Sequence, residues 1–72
     1  MEKVKIKGDY IELGQFLKLI NLVMTGGEAK IYIMQNRVLV NGETESRRGR
    51  KLRNNDVVKV DNKEYLIIDD NQ

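Results

Sequence analysis

The sequence predicts an α+β domain in which two antiparallel helices pack on a small, mostly antiparallel sheet. Three observations carry this expectation. Leu13, Phe16, Leu17 and Ile20 recur at helical spacing. Thr25-Gly26-Gly27-Glu28 reads as a sharp turn into a second helix. Beyond it, Asn41-Gly42 and Asp61-Asn62 mark tight turns between short, apolar, β-branched runs.

Each element has its own signal. Residues 3–7 alternate Lys-Val-Lys-Ile-Lys, a strand with Val4 and Ile6 inward and lysines outward. Lysines suit an exposed edge, where they discourage strand-to-strand aggregation. Gly8-Asp9 breaks this pattern. The first helix follows, with Val23 and Met24 extending its apolar face. It starts either from an Asp9-x-x-Glu12 capping box or nearer Glu12. Gly14 inside it costs up to ~1 kcal/mol relative to Ala, so packing must hold this helix. Thr25 and Glu28 form the second capping box, and the two glycines between them let the chain turn sharply. The second helix runs to about Asn36, with Ala29, Tyr32 and Ile33 on one face. Val38-Leu39-Val40 is a strand, Asn41-Gly42 a hairpin turn, and Glu43 to Ser46 the return. Asn54-Asn55-Asp56 turns into Val57–Val60, and Asp61-Asn62 turns into Glu64–Ile68. Asp69-Asp70-Asn71-Gln72 is expected to be a frayed acidic end.

Composition excludes most chemistry. The 72 residues make one domain, residues 1–72. A chain this short buries only ~60% of the surface its unfolded form exposes, so its stability is marginal. Cys and His are both 0, which removes disulfides, Cys/His zinc sites, cysteine nucleophiles and every His-based general base. Ser46 has no such base to activate it. The acids show no metal-loop spacing. An enzyme is not expected, nor any metal or cofactor. The N-terminus has no signal-type apolar block, and no apolar run exceeds four residues, far short of the ~20 of a membrane span. These features predict a cytoplasmic protein that does not engage membranes.

The charge is polarised. Lys+Arg 13 against Asp+Glu 11 gives only +2. Yet Arg47 to Arg53 holds five cations in seven residues and no acid. Such a run is often only a solvated loop. Here four of the five are Arg, whose planar fork matches phosphate oxygens, and the run lies beside a hairpin instead of in a tail. Tyr10, Phe16, Tyr32 and Tyr65 could stack on bases, but Phe16 and Tyr32 fall at core-facing helical positions. Gly26-Gly27 reads equally as a phosphate cradle or a plain interhelical turn. The aromatic signature of an RRM and the G-x-x-G clamp of a KH domain are both absent.

The helix pair, then Asn36-Arg37-Val38-Leu39-Val40-Asn41-Gly42, then the basic stretch, then Lys51-Leu52-Arg53-Asn54-Asn55-Asp56-Val57-Val58 resemble the S-four RNA-binding domain. In that family the helix pair and its loop are called the αL motif. The resemblance covers about Leu13 to Val60, and Arg37 to Gly42 is its most specific part. Leu17-Lys18-Leu19, Gly26 to Lys30 and Arg47 to Leu52 are similar to the small stand-alone bacterial members, the YaaA/YbcJ-like group. The resemblance implies non-catalytic binding of structured RNA, rRNA before tRNA, on the ribosomal subunit or in its assembly. The residues implied are Lys18, Lys30, Arg37, Arg47, Arg48, Arg50, Lys51 and Arg53. Two positions depart from the family pattern. Thr25-Gly26-Gly27-Glu28 stands where copies commonly carry Ser followed by basic residues, so two expected phosphate contacts are missing. Asn55 replaces the usual Gly before the strand-entry Asp, and Asn still tolerates the left-handed region.

Folding is expected to gather these cations into one positive face on a monomer. Two other readings stay open. One is a protein-interaction module using the basic loop or the edge of residues 3–7. The other is a small enzyme on nucleotides, against which the missing His, Cys and glycine-rich phosphate loop count. If about four to six phosphates are neutralised, log K for RNA should fall with log salt at a slope of about −3 to −5. A slope near zero in a salt titration would remove the phosphate-binding expectation.

Overall fold

Asparagines and aspartates in the left-handed region set most of the corners of this chain. Asn41 (φ 52°), Asn55 (φ 74°), Asp61 (φ 55°) and Asn62 (φ 61°) all take conformations that short polar side chains tolerate best after Gly. The computed structural model describes residues 1–70. Its elements are β1 (Glu2–Ile6), β2 (Ile11–Glu12), α1 (Leu13–Leu19), α2 (Gly26–Gln35), β3 (Leu39–Val40), β4 (Glu43–Thr44), β5 (Lys51–Leu52), β6 (Val57–Val60) and β7 (Lys63–Asp69).

Five strands form one sheet in the order β1-β7-β6-β3-β4. β1 pairs parallel to β7, with Val4 opposite Ile67. The other pairs are antiparallel, so the sheet is mixed but mostly antiparallel. β2 and β5 form a separate two-stranded ribbon, Ile11 opposite Leu52. The two helices cover one face of the sheet. Leu13, Phe16 and Leu17 of α1 and Ala29 and Ile33 of α2 are buried against Val4, Ile6, Val58, Val60, Tyr65 and Ile67. Phe16 meets Tyr65 edge-on, with ring centroids 5.4 Å apart. Tyr65 is therefore core, like Phe16, while Tyr32 is only half-buried at the core margin.

α1 is shorter than the periodicity predicts. Asn21 adopts φ 65°, its N–H donates to the Lys18 carbonyl (3.0 Å), and the Leu22 N–H donates to Leu17 (3.0 Å). This is a Schellman closure with Asn in the left-handed position. Val23 and Met24 thus lie beyond the helix. Val23 still reaches the core, but Met24 is 85% exposed. The Asp9-x-x-Glu12 box does not form either, since Glu12 caps α1 without a side-chain bond. The Thr25 cap does form, with its Oγ1 accepting from the Glu28 N–H at 3.1 Å.

Two strand ends also differ from expectation. The return strand ends at Thr44; the Glu45 N–H still donates to the Val38 carbonyl at 2.9 Å, and the Ser46 and Arg47 N–H groups then go to the Glu45 carboxylate. The acidic end does not fray at its start. Asp69 completes β7, and the Asp70 N–H donates to the Ile6 carbonyl at 2.9 Å. Asn71 and Gln72 lie outside the described residues.

Asn41 locks the first hairpin to β6. Its backbone N–H donates to the Val57 carbonyl (2.7 Å), its Oδ1 accepts from the Val57 N–H (2.8 Å), and its Nδ2 donates to Asp56 (3.0 Å). Asp56 in turn accepts from the Arg53 N–H at 2.7 Å. Asn41→Ala loses both the positive-φ tolerance and the amide bonds, and is expected to cost ~2 kcal/mol. Asn41→Gly keeps the backbone freedom and should cost less. Urea unfolding midpoints of the two variants check this, and an equal loss would leave conformation without a role.

Candidate nucleic-acid interface

The basic stretch is an ordered loop built around one carboxylate. Glu45 is buried, at 6% exposure, immediately before the cations. Its Oε2 accepts from the backbone N–H groups of Ser46 and Arg47, both at 3.0 Å, and from Arg47 Nε at 3.1 Å. Its Oε1 accepts from Arg47 Nη2 (3.2 Å) and Arg50 Nη1 (2.9 Å). Arg47 therefore grips both oxygens with its fork, a strong charge-assisted geometry. The Arg47 side-chain bonds lower the Glu45 carboxyl to about 2 against the opposing effect of burial, helped by the Arg47 backbone and Arg50. Five cations against this single acid leave Glu45 to Arg53 with a net charge of +4.

The ordered loop then docks on the start of α1. The Arg48 and Arg50 carbonyls accept from the Gly14 and Leu13 N–H groups, each at 2.8 Å. These are two of the donors that any helix leaves unpaired at its N-terminus. Gly14 sits against the loop: a Cβ there would lie 3.4 Å from the Arg48 carbonyl oxygen and 3.6 Å from the Ala29 Cβ, ordinary contact distances. Leu52, fully buried, anchors the far end through the β2–β5 ribbon. Arg48 Nη1 crosses to the Gly26 carbonyl at 3.1 Å, so the loop ties the starts of both helices together.

This docking sorts the eight cations named from the sequence. Lys18 and Arg48 line one cleft of about 240 Å³ with Gly14, Gln15, Gly26 and Glu12. Lys51 and Arg53 flank Tyr10, with Nζ 4.8 Å and Cζ 5.4 Å from the ring centroid. Arg47 and Arg50 are paired with Glu45, but the Arg47 side chain keeps 71% exposure and Arg50 33%. Lys30 is exposed on α2 and lines no part of the cleft. Arg37 is not brought to the group at all; it lines a different cleft with Lys59 and Asp61. So the loop and helix cations form neighbouring clusters, with Arg37 apart.

Two participants are not among the residues expected from the sequence. Glu45 falls inside the expected return strand, although an acid placed just before five cations is a visible signal. With Phe16 and Tyr32 at core-facing helical positions, the sequence does not separate Tyr10 from Tyr65. Burial of Phe16 and Tyr65 leaves Tyr10, at 39% exposure, the open ring beside the cations.

A mixed sheet covered on one face by a short helix pair, with a basic loop sealing both helix starts, defines the class of this domain. The chain belongs to the S4 domain family, whose sequence profile it matches over residues 4–68. The match extends past Leu13 and Val60 on both sides and takes in most of β1 and of β7. The chain is also 47% identical over 58 residues to the "Probable ribosome maturation protein RlbA" of Bacillus subtilis (strain 168), covering 81% of this chain and 82% of that protein.

The depressed Glu45 carboxyl makes part of the stability acid-sensitive. Its folded pKa of about 2 lies below the ordinary 4.5. Its contribution is therefore complete above about pH 4.5 and is lost as the pH falls toward 2. With Arg47 largely in solvent, screening reduces the contribution to ~1–2 kcal/mol. Glu45→Gln should lower the melting temperature at pH 7 and flatten its decline between pH 4.5 and 2. Parallel acid melting curves for the wild type and the variant would refute this role for Glu45.

Proposed function

We propose that this protein is a non-catalytic RNA-binding module that grips structured RNA, ribosomal RNA foremost, by its phosphates. The observation that carries the proposal is the convergence of Lys18 and Arg48 on one cleft where the two helices start, beside a loop of net charge +4. Membership of the S4 domain family and likeness to a protein named for ribosome maturation support it. The site of action is then the ribosomal subunit or a precursor of it in the cytoplasm, and the chain works as a monomer.

The roles follow from exposure. Lys18 and Arg48 hold a phosphate between the helix starts. Lys51 and Arg53, held over the Tyr10 ring, hold a second. Arg47 and Arg50 offer their outward N–H groups while the inward ones keep the loop folded. Lys30 and Arg37 add charge at the rim. Contacts of this kind read the shape of a folded RNA more than its sequence.

Lys18→Ala with Arg48→Ala removes the cleft cations and leaves the Glu45 pairs intact. It should weaken RNA binding and flatten the salt slope by about 1.5, with only a small fall in the urea midpoint from the lost Arg48–Gly26 bond. Arg47→Ala with Arg50→Ala should instead lower that midpoint, because Glu45 is left buried without a cation, held by the Ser46 and Arg47 backbone N–H groups alone. Crosslinking in cells followed by sequencing identifies the RNA. Recovery of a nuclease-resistant protein complex with no enriched RNA would defeat the proposal.

A further inference from the structure

The open edge of β1 has no part in the RNA contacts, yet it is a prepared surface. β1 ends the order β1-β7-β6-β3-β4 and pairs on one side only, while β4 at the other end is only two residues long. Along a strand, successive residues turn their N–H and C=O groups to opposite edges. The Ile6 carbonyl accepts from the Asp70 N–H, on the β7 side. Alternation therefore turns the backbone groups of Lys3 and Lys5 to the open edge, about 6.7 Å apart. No proline and no bulge interrupts the β1 register.

The surroundings select an occupant. A groove of about 450 Å³ where β1 and β7 begin and α1 ends is lined by Lys3, Lys5 and Lys63, with Glu2 the acid among its lining residues and Leu19 and Ile20 as an apolar flank. None of these three lysines makes an ion pair among the described residues. Leu19 is 53% exposed. A second copy pairing edge to edge would set lysines against lysines, which is unfavourable. A nucleic acid would neutralise the side chains but leave the edge carbonyls short of donors. An extended acidic polypeptide satisfies all three features: the backbone groups, the cations and the apolar flank.

We infer that the open edge of β1 accepts an added strand from an acidic, extended segment of a partner protein. The RNA contacts lie on the loop and helix starts, so the domain can hold RNA and that protein together. The inference is independent of the RNA assignment, because it uses none of the same residues.

The test follows amide hydrogen exchange by NMR on the intact chain. The probes are a short peptide alternating Glu and Val, the same peptide with Lys for Glu, and a uridine oligonucleotide. The Glu–Val peptide should slow exchange at Lys3 and Lys5 about tenfold, and leave Val4 and Ile6, whose backbone groups face β7, unchanged. Lys5→Pro removes one edge donor without touching the β7 ladder and should abolish that protection. Lys3→Glu with Lys5→Glu should transfer the response to the Lys–Val peptide. No protection, an equal response to both peptides, or a response to the oligonucleotide alone would each overturn the inference. RNA affinity measured on Lys5→Pro should stay within twofold of wild type, which separates this site from the loop.

Discussion

One buried carboxylate holds the functional end of the molecule together. Glu45 takes five hydrogen bonds from Ser46, Arg47 and Arg50, which bends an otherwise self-repelling cationic segment into a defined loop. That shape lets the Arg48 and Arg50 carbonyls reach the Gly14 and Leu13 amides. α1 depends on this in turn. At seven residues it is far below the ~12–15 at which an isolated helix becomes even marginal in water. Packing of Leu13, Phe16 and Leu17 supplies most of its stability, and the loop carbonyls satisfy two of its orphan amides.

The arginines consequently divide by what they are already doing. Arg47 and Arg50 are partly committed to structure, and their value to a ligand lies in the N–H groups they still turn outward. Arg48 is committed only to one carbonyl, that of Gly26. Lysine could not substitute evenly across this loop. A single ammonium cannot span both Glu45 oxygens as the Arg47 fork does. The preference for Arg over Lys, readable as phosphate chemistry, has a structural cause at Arg47.

How much was legible in the sequence follows from the range over which each cause acts. Asn41-Gly42, Asp61-Asn62 and the Thr25 cap were readable because each depends on the residue itself and its near neighbours. The early end of α1 was readable in principle, since Asn is the usual substitute for Gly at a Schellman position, but the apolar Val23 and Met24 masked Asn21. The parallel pairing of β1 with β7 joins residues some sixty positions apart and leaves no local trace. The same holds for the site. Cation identity was visible as composition. Their sorting was not, because it depends on where the loop docks, which the backbone bonds to Leu13 and Gly14 and the Leu52 ribbon set together. The separation of Arg37 from the group arises because it enters β3 on the sheet, while the loop closes over the helices.

Interface and fold are thus one structure, and this couples ligand binding to stability. In the free domain, the +4 segment carries a repulsive energy that Glu45 offsets only in part. Under the proposed function, phosphates at Arg48, Lys18 or the Tyr10 cluster would reduce that repulsion in the folded state. The unfolded chain disperses the same cations and gains less. A ligand that prefers the folded form raises its stability by mass action. For a chain of 72 residues without disulfides, that added margin matters more than it would in a large enzyme. Under the proposed function, the loop that gathers like charge on the folded domain is also the place where an anionic partner would steady it.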